Sequence, residues 1–229
     1  MVGTPAPPVR EAFTRSQEDY LKSLYLLGGD EHPVPTRDLA QRLGISSPSV
    51  SEMVTRLSAQ GLVEHDRYRG QQLTREGRKV AVELVRHHRL LEMFLVQVLG
   101  FGWDEVHDEA ERLEHVISER MEQRIFELLG RPDIDPHGHA IPTLTGKVRP
   151  ASHRQLSEGR VGEKLTVQGV SDEDAGKLRE LQRRGLVPGA HLQVTAPSEF
   201  EGPIEVRLRG RRESVPLGLA RAVFVAESH

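Results

Sequence analysis

Apolar positions in the first 129 residues recur at intervals of three and four, the spacing that lines one face of a helix. Tyr20, Leu24 and Leu27 form such a stripe over residues 16–27, with Ser16 as N-cap, Asp19 at the third helical position and Gly28-Gly29 as the stop. Thr36 caps a second helix, Arg37 to Leu43, and Gly44-Ile45 makes a short turn. Ser46 or Ser47 caps a third helix that runs to about Gln60, with Pro48 in its first turn and Val50, Val54 and Leu57 inward. Two short strands, Leu62-Val63-Glu64 and Gln72-Leu73-Thr74, flank a basic tip of Arg67, Tyr68, Arg69 and Gly70. Helix, glycine turn, helix and wing predict a winged helix-turn-helix.

Thr74 then opens a long helix to about Leu99, with Leu84, Leu91, Leu95 and Val98 on one face, broken by Gly100-Phe101-Gly102. No proline falls between Asp104 and Leu129, and Val106, Ala110, Leu113, Ile117 and Met121 predict one continuous helix there. Two such amphipathic helices either build a dimer interface or complete the monomer's core. Beyond Arg131 the chain is rich in Pro, Gly and His, which predicts an ordered turn and then a linker. In the last stretch the period falls to two. Lys164–Gly169, Leu192–Thr195, Pro203–Leu208, Arg212–Pro216 and Ala222–Ala226 read as strands of an SH3-like barrel, interrupted by a helix from Asp172 to Arg183. The fold class is therefore mainly α with a small β domain. Its divisions are a disordered lead-in at 1–14, a winged-helix DNA-binding domain at 15–75, a helical domain at 76–145, a linker at 146–157 and the barrel at 158–229.

Composition narrows the function. The chain has 229 residues, 37% hydrophobic and 28% charged, with no apolar run near the ~20 residues that cross a bilayer, so no membrane partner is expected. No cysteine is present, which excludes disulfides, thiolate metal sites and cysteine nucleophiles and favours the cytoplasm. The net charge of −3 hides an uneven distribution. Residues 36–79 carry eight Arg or Lys against five acids, and residues 104–129 carry three Arg against nine acids. An anionic partner for the first segment and a cation for the second follow.

The cation has a candidate seat. His107, Glu111, Glu114 and His115 fall three and four apart, on one helical face. Carboxylates at that density repel at neutral pH unless a cation or protons compensate, and a nitrogen- and oxygen-seeking divalent ion does so. His88 and Glu92, four apart on the preceding helix, look like a second wall of the same site. A solvated charged face, or one that binds a protein, is the plainer alternative. His137 and His139 flank a glycine but have no carboxylate partner at fixed spacing, so they stay outside the site. For DNA, Ser49, Ser51, Glu52 and Arg56 face outward on the third helix, with Arg37, Arg67 and Arg69 placed to hold phosphates.

These motifs together resemble the diphtheria toxin repressor family, nearest its manganese transport regulators with a C-terminal SH3-like (FeoA-like) domain. The matching stretches are Glu-Asp-Tyr-Leu at 18–21, Ser-Pro-Ser-Val-Ser at 47–51, Tyr-Arg-Gly at 68–70, His-Arg-Leu-Leu-Glu at 88–92, Val-His-Asp-Glu-Ala-Glu at 106–111, Glu-His at 114–115 and Pro-His-Gly-His-Ala-Ile-Pro at 136–142. The resemblance implies a primary metal site of Asp19, Glu111, Glu114 and His115, and a second of His88, Glu92 and His107, with Asp174 of the barrel as a further ligand. It implies that Ser46, Ser47, Pro48, Ser49, Ser51 and Glu52 enter a major groove, supported by Thr36, Arg37, Arg56 and Arg69.

Asp19 and Glu111 stand where iron-type members carry methionine and cysteine, which favours Mn2+ over Fe2+. Lys22 stands where short manganese regulators often carry glutamate, which argues against their two-metal cluster. The implied function is a homodimeric repressor of metal-uptake genes that binds palindromic operator DNA when metal joins the Asp19 helix to the acidic one. The competing reading is a metal-independent winged-helix regulator whose acidic helices bind a protein. A di-iron enzyme would need Glu-x-x-His, but Arg112 and Val85 occupy the glutamate positions before His115 and His88.

Overall fold

A computed structural model describes residues 13–66, 68–148, 154–172, 174–198 and 200–228. The chain forms two units: the part up to His87 with Pro142–Lys147, and His88–Ile141 with the part from Val148 onward. The lead-in expected at 1–14 falls almost entirely outside the described residues, as do Arg67 of the wing and residues 149–153 of the expected linker.

In the first unit α1 spans Arg15–Leu26 and begins two residues earlier than an N-cap at Ser16 predicts. Thr14 is the N-cap, and Gln17 returns a hydrogen bond to the Thr14 backbone N–H, completing a capping box in which Asp19 has no part. Helix α2 (Thr36–Leu43) starts after Pro35 with no side-chain cap, so Thr36 is not the cap its sequence suggests; its hydroxyl meets Gln71 instead. Gly44 ends α2 in the left-handed region, at φ 66°, where glycine carries no Cβ penalty. Helix α3 (Ser47–Ala59) begins as predicted: Ser46 accepts from the Ser49 N–H and proline sits in the first turn.

Strands β1 (Val63–Asp66) and β2 (Gly70–Leu73) pair antiparallel to make the wing. At its tip Asp66 Oδ1 accepts the N–H groups of Tyr68 and Arg69, which holds the Asp66 carboxyl below its usual range. Leu21, Leu24, Leu39, Val50, Val54 and Leu57 are all buried in one cluster that ties α1, α2 and α3 together. Truncating one such leucine costs about 2–5 kcal/mol.

Helix α4 (Arg75–Gln97) runs across the boundary between the units. The acidic stretch that follows is two helices rather than one: α5 (Val106–Leu113) and α6 (Glu119–Leu128). Ser118 N-caps α6 by accepting from the Met121 N–H, so the chain turns between Glu114 and Ser118 with neither glycine nor proline.

The rest of the second unit is a five-stranded antiparallel sheet in the order β6-β5-β4-β3-β7. Its strands are β3 (Lys164–Val170), β4 (His191–Ala196), β5 (Ile204–Leu208), β6 (Arg211–Val215) and β7 (Val223–Glu227). Helix α7 (Ala175–Arg184) and the short α8 (Leu217–Ala220) complete it around fully buried Leu165, Leu178 and Leu181. Helix α7 begins after Asp174, so Asp172 lies ahead of it, in the loop from β3. Leu156, expected in the linker, is fully buried in this core, and Gln155 bridges to Phe224, so the sheet domain already includes these residues.

One close approach fixes the neighbourhood of the site. The His137 carbonyl accepts from the Val170 N–H at 2.9 Å. A Cβ on Gly138, whose φ is +91°, would lie 2.1 Å from the Gln168 carbonyl oxygen, so only glycine fits there.

Candidate metal centre

Four segments of the second unit converge. Helix α4 supplies His88 and Glu92 one turn apart, and α5 supplies His107 and Glu111 at the same spacing. The turn after α5 supplies Glu114 and His115, and the β3–α7 loop supplies Asp172. His88 Nε2 lies 3.0 Å from Glu92 Oε1 and 3.1 Å from His107 Nδ1. His107 Nδ1 is also 3.4 Å from Glu92 Oε1 and 3.8 Å from Asp172 Oδ2. One ligand atom from each of His88, Glu92, His107 and Asp172 lies within 4.8 Å of the others. Around an octahedral ion with bonds of about 2.1 Å, neighbouring ligand atoms stand roughly 3 Å apart, and the shorter edges here match that spacing.

The neighbouring acids form a second grouping. His88 Nδ1 lies 2.6 Å from Glu114 Oε2 and 3.8 Å from Glu111 Oε1, and His115 Nε2 lies 3.6 Å from Glu114 Oε1. Glu92 and Glu114 are fully buried, whereas Glu111 is about one-third exposed. Buried carboxylates need compensating charge or hydrogen bonds. Burial pushes the Glu92 carboxyl up, but the charge of His88 and the contacts with His107 and His137 outweigh it and hold Glu92 well below the usual carboxylate range. Asp172 follows the same logic: burial raises it, and His139, His107 and His88 bring it below its ordinary value against the opposing charge of Glu92. The donor set is imidazole nitrogen and carboxylate oxygen with no sulfur, which suits a hard or borderline divalent ion such as Mn2+ or Fe2+.

His88, Glu92 and His107, expected to share a site, stand together, and the sheet-domain aspartate beside them is Asp172 rather than the expected Asp174. Asp174 is the N-cap of α7, accepting from the Lys177 N–H, and is exposed. Asp19 is half-buried on α1 in the first unit.

The loop Asp135–His139, left outside the site by its sequence, stands next to it. His137 Nδ1 lies 3.5 Å from Glu92 Oε2, and His139 Nδ1 lies 3.2 Å from Asp135 Oδ2 and 3.4 Å from Asp172 Oδ2. Burial pushes His137 down, yet the Glu92 carboxylate beside it, with Asp135 and the Trp103 carbonyl, lifts it to about 9. Burial likewise opposes the charge of His139, and Asp135 and Asp172 raise it overall. The only local clue in the sequence was Asp135, two residues ahead of His137; Glu92 is distant along the chain.

The candidate DNA-reading residues separate into two groups. Ser47, Pro48, Ser49, Ser51, Glu52 and Arg56 are exposed on α3, and Arg37 and Arg69 are exposed on α2 and the wing. Ser46 is exposed but spends its hydroxyl on the helix cap, and Thr36 is half-buried against Gln71. Ser51 bonds back to the Ser47 carbonyl, and Arg56 pairs with Glu52 one turn away.

Three protein-family descriptions match the chain. They are the iron dependent repressor N-terminal DNA binding domain over residues 12–71, the iron dependent repressor metal binding and dimerisation domain over 74–143, and the FeoA domain over 154–227. Iron-dependent repressor IdeR of Mycobacterium leprae is 35% identical over 224 residues, which cover 91% of this chain and 95% of that protein. The diphtheria toxin repressor of Corynebacterium glutamicum is 41% identical over 128 residues, 56% of each chain. A solved manganese-dependent transcriptional repressor in complex with manganese matches with a TM-score of 0.86 at 41% identity, covering 93% of this chain and 100% of its own.

Proposed function

The chain belongs to the iron-dependent repressor family, that of the diphtheria toxin repressor, and on that premise we propose that it is a homodimeric, metal-activated repressor of metal-uptake genes. Mn2+ is the proposed activator, with Fe2+ as the alternative. The observation that carries this reading is the convergence of His88, Glu92, His107 and Asp172 in a chain that also presents a winged helix. His88, Glu92, His107 and Asp172 hold the second site. Glu111, Glu114 and His115 hold the primary one, and the family pattern adds Asp19 of α1 to it. A bound divalent ion supplies the positive charge that these carboxylates otherwise draw from protons.

On DNA, the exposed residues of α3 from Ser47 to Arg56 enter the major groove, with Glu52 able to accept from cytosine N4. Arg37 and Arg69 hold phosphates, and two copies read palindromic half-sites. No helix among the described residues is long and apolar enough to cross a membrane, and the proposed place of work is the cytoplasm. Docking of a protein on the acidic helices would use their exposed acids, such as Asp108, Glu119 and Glu127, and leaves the fully buried Glu92 and Glu114 without a role.

The test is binding to a candidate operator at fixed salt, with Mn2+ titrated against a chelator, for wild type and Glu114→Ala. Tight binding only with metal, lost in the variant, supports the proposal. Equal binding with and without metal leaves a DNA-binding protein and removes the sensor. Repeating the titration with Fe2+ and Zn2+ ranks the metals.

A further inference from the structure

The C-terminal end of α7 and the β5–β6 hairpin line a recess of about 510 Å3. Its polar walls are Gln182, Arg183, Arg184, Arg209, Arg211 and Glu213, so four guanidiniums meet one lining carboxylate. Asp172 precedes the opposite end of this ten-residue helix, about 15 Å away, and the recess is therefore separate from the metal centre.

Two of the arginines are already engaged. Arg183 and Arg184 both donate to Glu180, and Arg184 also donates to the Ser214 carbonyl and stands 3.7 Å from Glu213. Arg209 and Arg211 are exposed and have no ion pair among the described residues. The C-terminus of a helix carries only about half a negative charge, which does not balance them. In the same hairpin Arg207 stands directly across from Arg212, and like charges so placed destabilise a strand pair.

Arg209 is also held in an unfavourable backbone conformation. With Gly210 it forms the two-residue turn between β5 and β6, at φ of 50° and 79°. Two positive φ values suit Asn-Gly or Gly-Gly, and a long side chain in the left-handed region is disfavoured. The turn delivers the guanidinium against α7: a Cβ on Gly185 would lie 3.2 Å from Arg209 Cζ. Strand β6 is at the edge of the sheet, where charge discourages pairing with another sheet, but that need does not explain an arginine in the turn. An anion between the hairpin and α7 explains both the unbalanced charge and the strained residue.

We propose that this recess binds a compact phosphoryl anion, a di- or polyphosphate, gripped by Arg209 and Arg211 with Arg183 and Arg184 behind them. Guanidinium forks match phosphoryl oxygens in pairs. A recess of this volume holds a small ligand, whereas a duplex backbone follows an open stripe of charge. The sheet domain thereby has a ligand of its own, independent of the metal sites.

The test is calorimetric titration of the metal-free full-length protein with pyrophosphate at fixed ionic strength, for wild type, Arg209→Asn, Arg211→Gln and Arg37→Ala. Metal is left out because pyrophosphate itself chelates Mn2+. Wild type and Arg37→Ala are expected to bind alike. Arg209→Asn is expected to bind at least about tenfold more weakly and to melt no lower than wild type, since asparagine suits the turn. Unchanged binding in Arg209→Asn, or no binding by wild type at millimolar pyrophosphate, overturns the site. If Arg209→Asn melts lower, Arg211→Gln decides: weaker binding at the wild-type melting temperature supports the site, and unchanged binding refutes it. Loss of binding in Arg37→Ala but not in Arg209→Asn moves the anion to the DNA-binding face and overturns the proposal. Wild type that ignores pyrophosphate while Arg209→Asn loses operator affinity makes these arginines a DNA-backbone contact, which overturns it too.

Discussion

His88 Nδ1 stands 2.6 Å from Glu114 Oε2, while Nε2 of the same ring faces Glu92 and His107. A neutral imidazole has one bare nitrogen. If Nε2 binds an ion in the second site, Nδ1–H donates to Glu114 and orients a carboxylate of the primary site. In the proposed arrangement one ring would tie the two sites together. His88→Ala should abolish metal binding at the second site and weaken the primary site as well, by the 10–100-fold typical of lost outer-shell partners. His107→Ala should remove the second site and leave the primary affinity nearly unchanged. Competitive titration against a fluorescent chelator separates these outcomes.

Two aspartates in one loop make opposite predictions. Asp174→Ala removes the α7 cap and should cost about 1 kcal/mol of stability, with metal affinity unchanged. Asp172→Ala should leave melting of the metal-free protein nearly unchanged and weaken the second site at least tenfold. Melting curves and Mn2+ titrations on the same two variants check both. A metal defect in Asp174→Ala with none in Asp172→Ala would reverse the assignment made from their positions.

The proposed DNA face divides into groups expected to hold the backbone and groups expected to read bases. Arg37 is exposed and stands 3.4 Å from the Asp38 carboxylate. Arg37→Ala should weaken binding about equally across operator variants and reduce the salt slope by about 1. Glu52→Gln should instead change which base is preferred and release Arg56 from its ion pair. Fluorescence anisotropy at several salt concentrations distinguishes the two.

Glu180 on α7 supplies a pH effect away from the metal. Hydrogen bonds from Arg183 and Arg184 hold its carboxyl at about 2. The folded value is depressed, so its contribution is complete above the unfolded value near 4.5 and is lost as pH falls from there toward 2. Exposure keeps the effect small. The melting difference between wild type and Glu180→Gln should be roughly 1–2 °C at neutral pH and should close as pH approaches 2.

Local rules explain what the sequence made legible. Ser46 ahead of Pro48 announces the start of α3, and that start is found. The fold class, the wing and every strand of the sheet domain follow from periodicity and turn residues. The break between α5 and α6 does not, because it uses no helix breaker; Ser118 simply caps a new helix while Glu114 and His115 occupy the turn. The exchange of Asp172 for Asp174 has a similar cause, since either aspartate is an acceptable N-cap and only the path of the chain shows which is used. His137 was passed over because its partner Glu92 is contributed by another helix, and sequence spacing carries no record of that contact.

Metal gating makes one demand that no other reading shares. If Mn2+ raises the affinity for operator DNA by some factor, operator DNA must raise the affinity for Mn2+ by the same factor. The decisive measurement is the Mn2+ binding isotherm of the wild-type dimer with and without saturating operator duplex at one salt concentration. The account predicts tighter Mn2+ binding with the operator, by the factor found in the DNA titration, and no such gain with Glu114→Ala. Identical isotherms with and without the operator would contradict it.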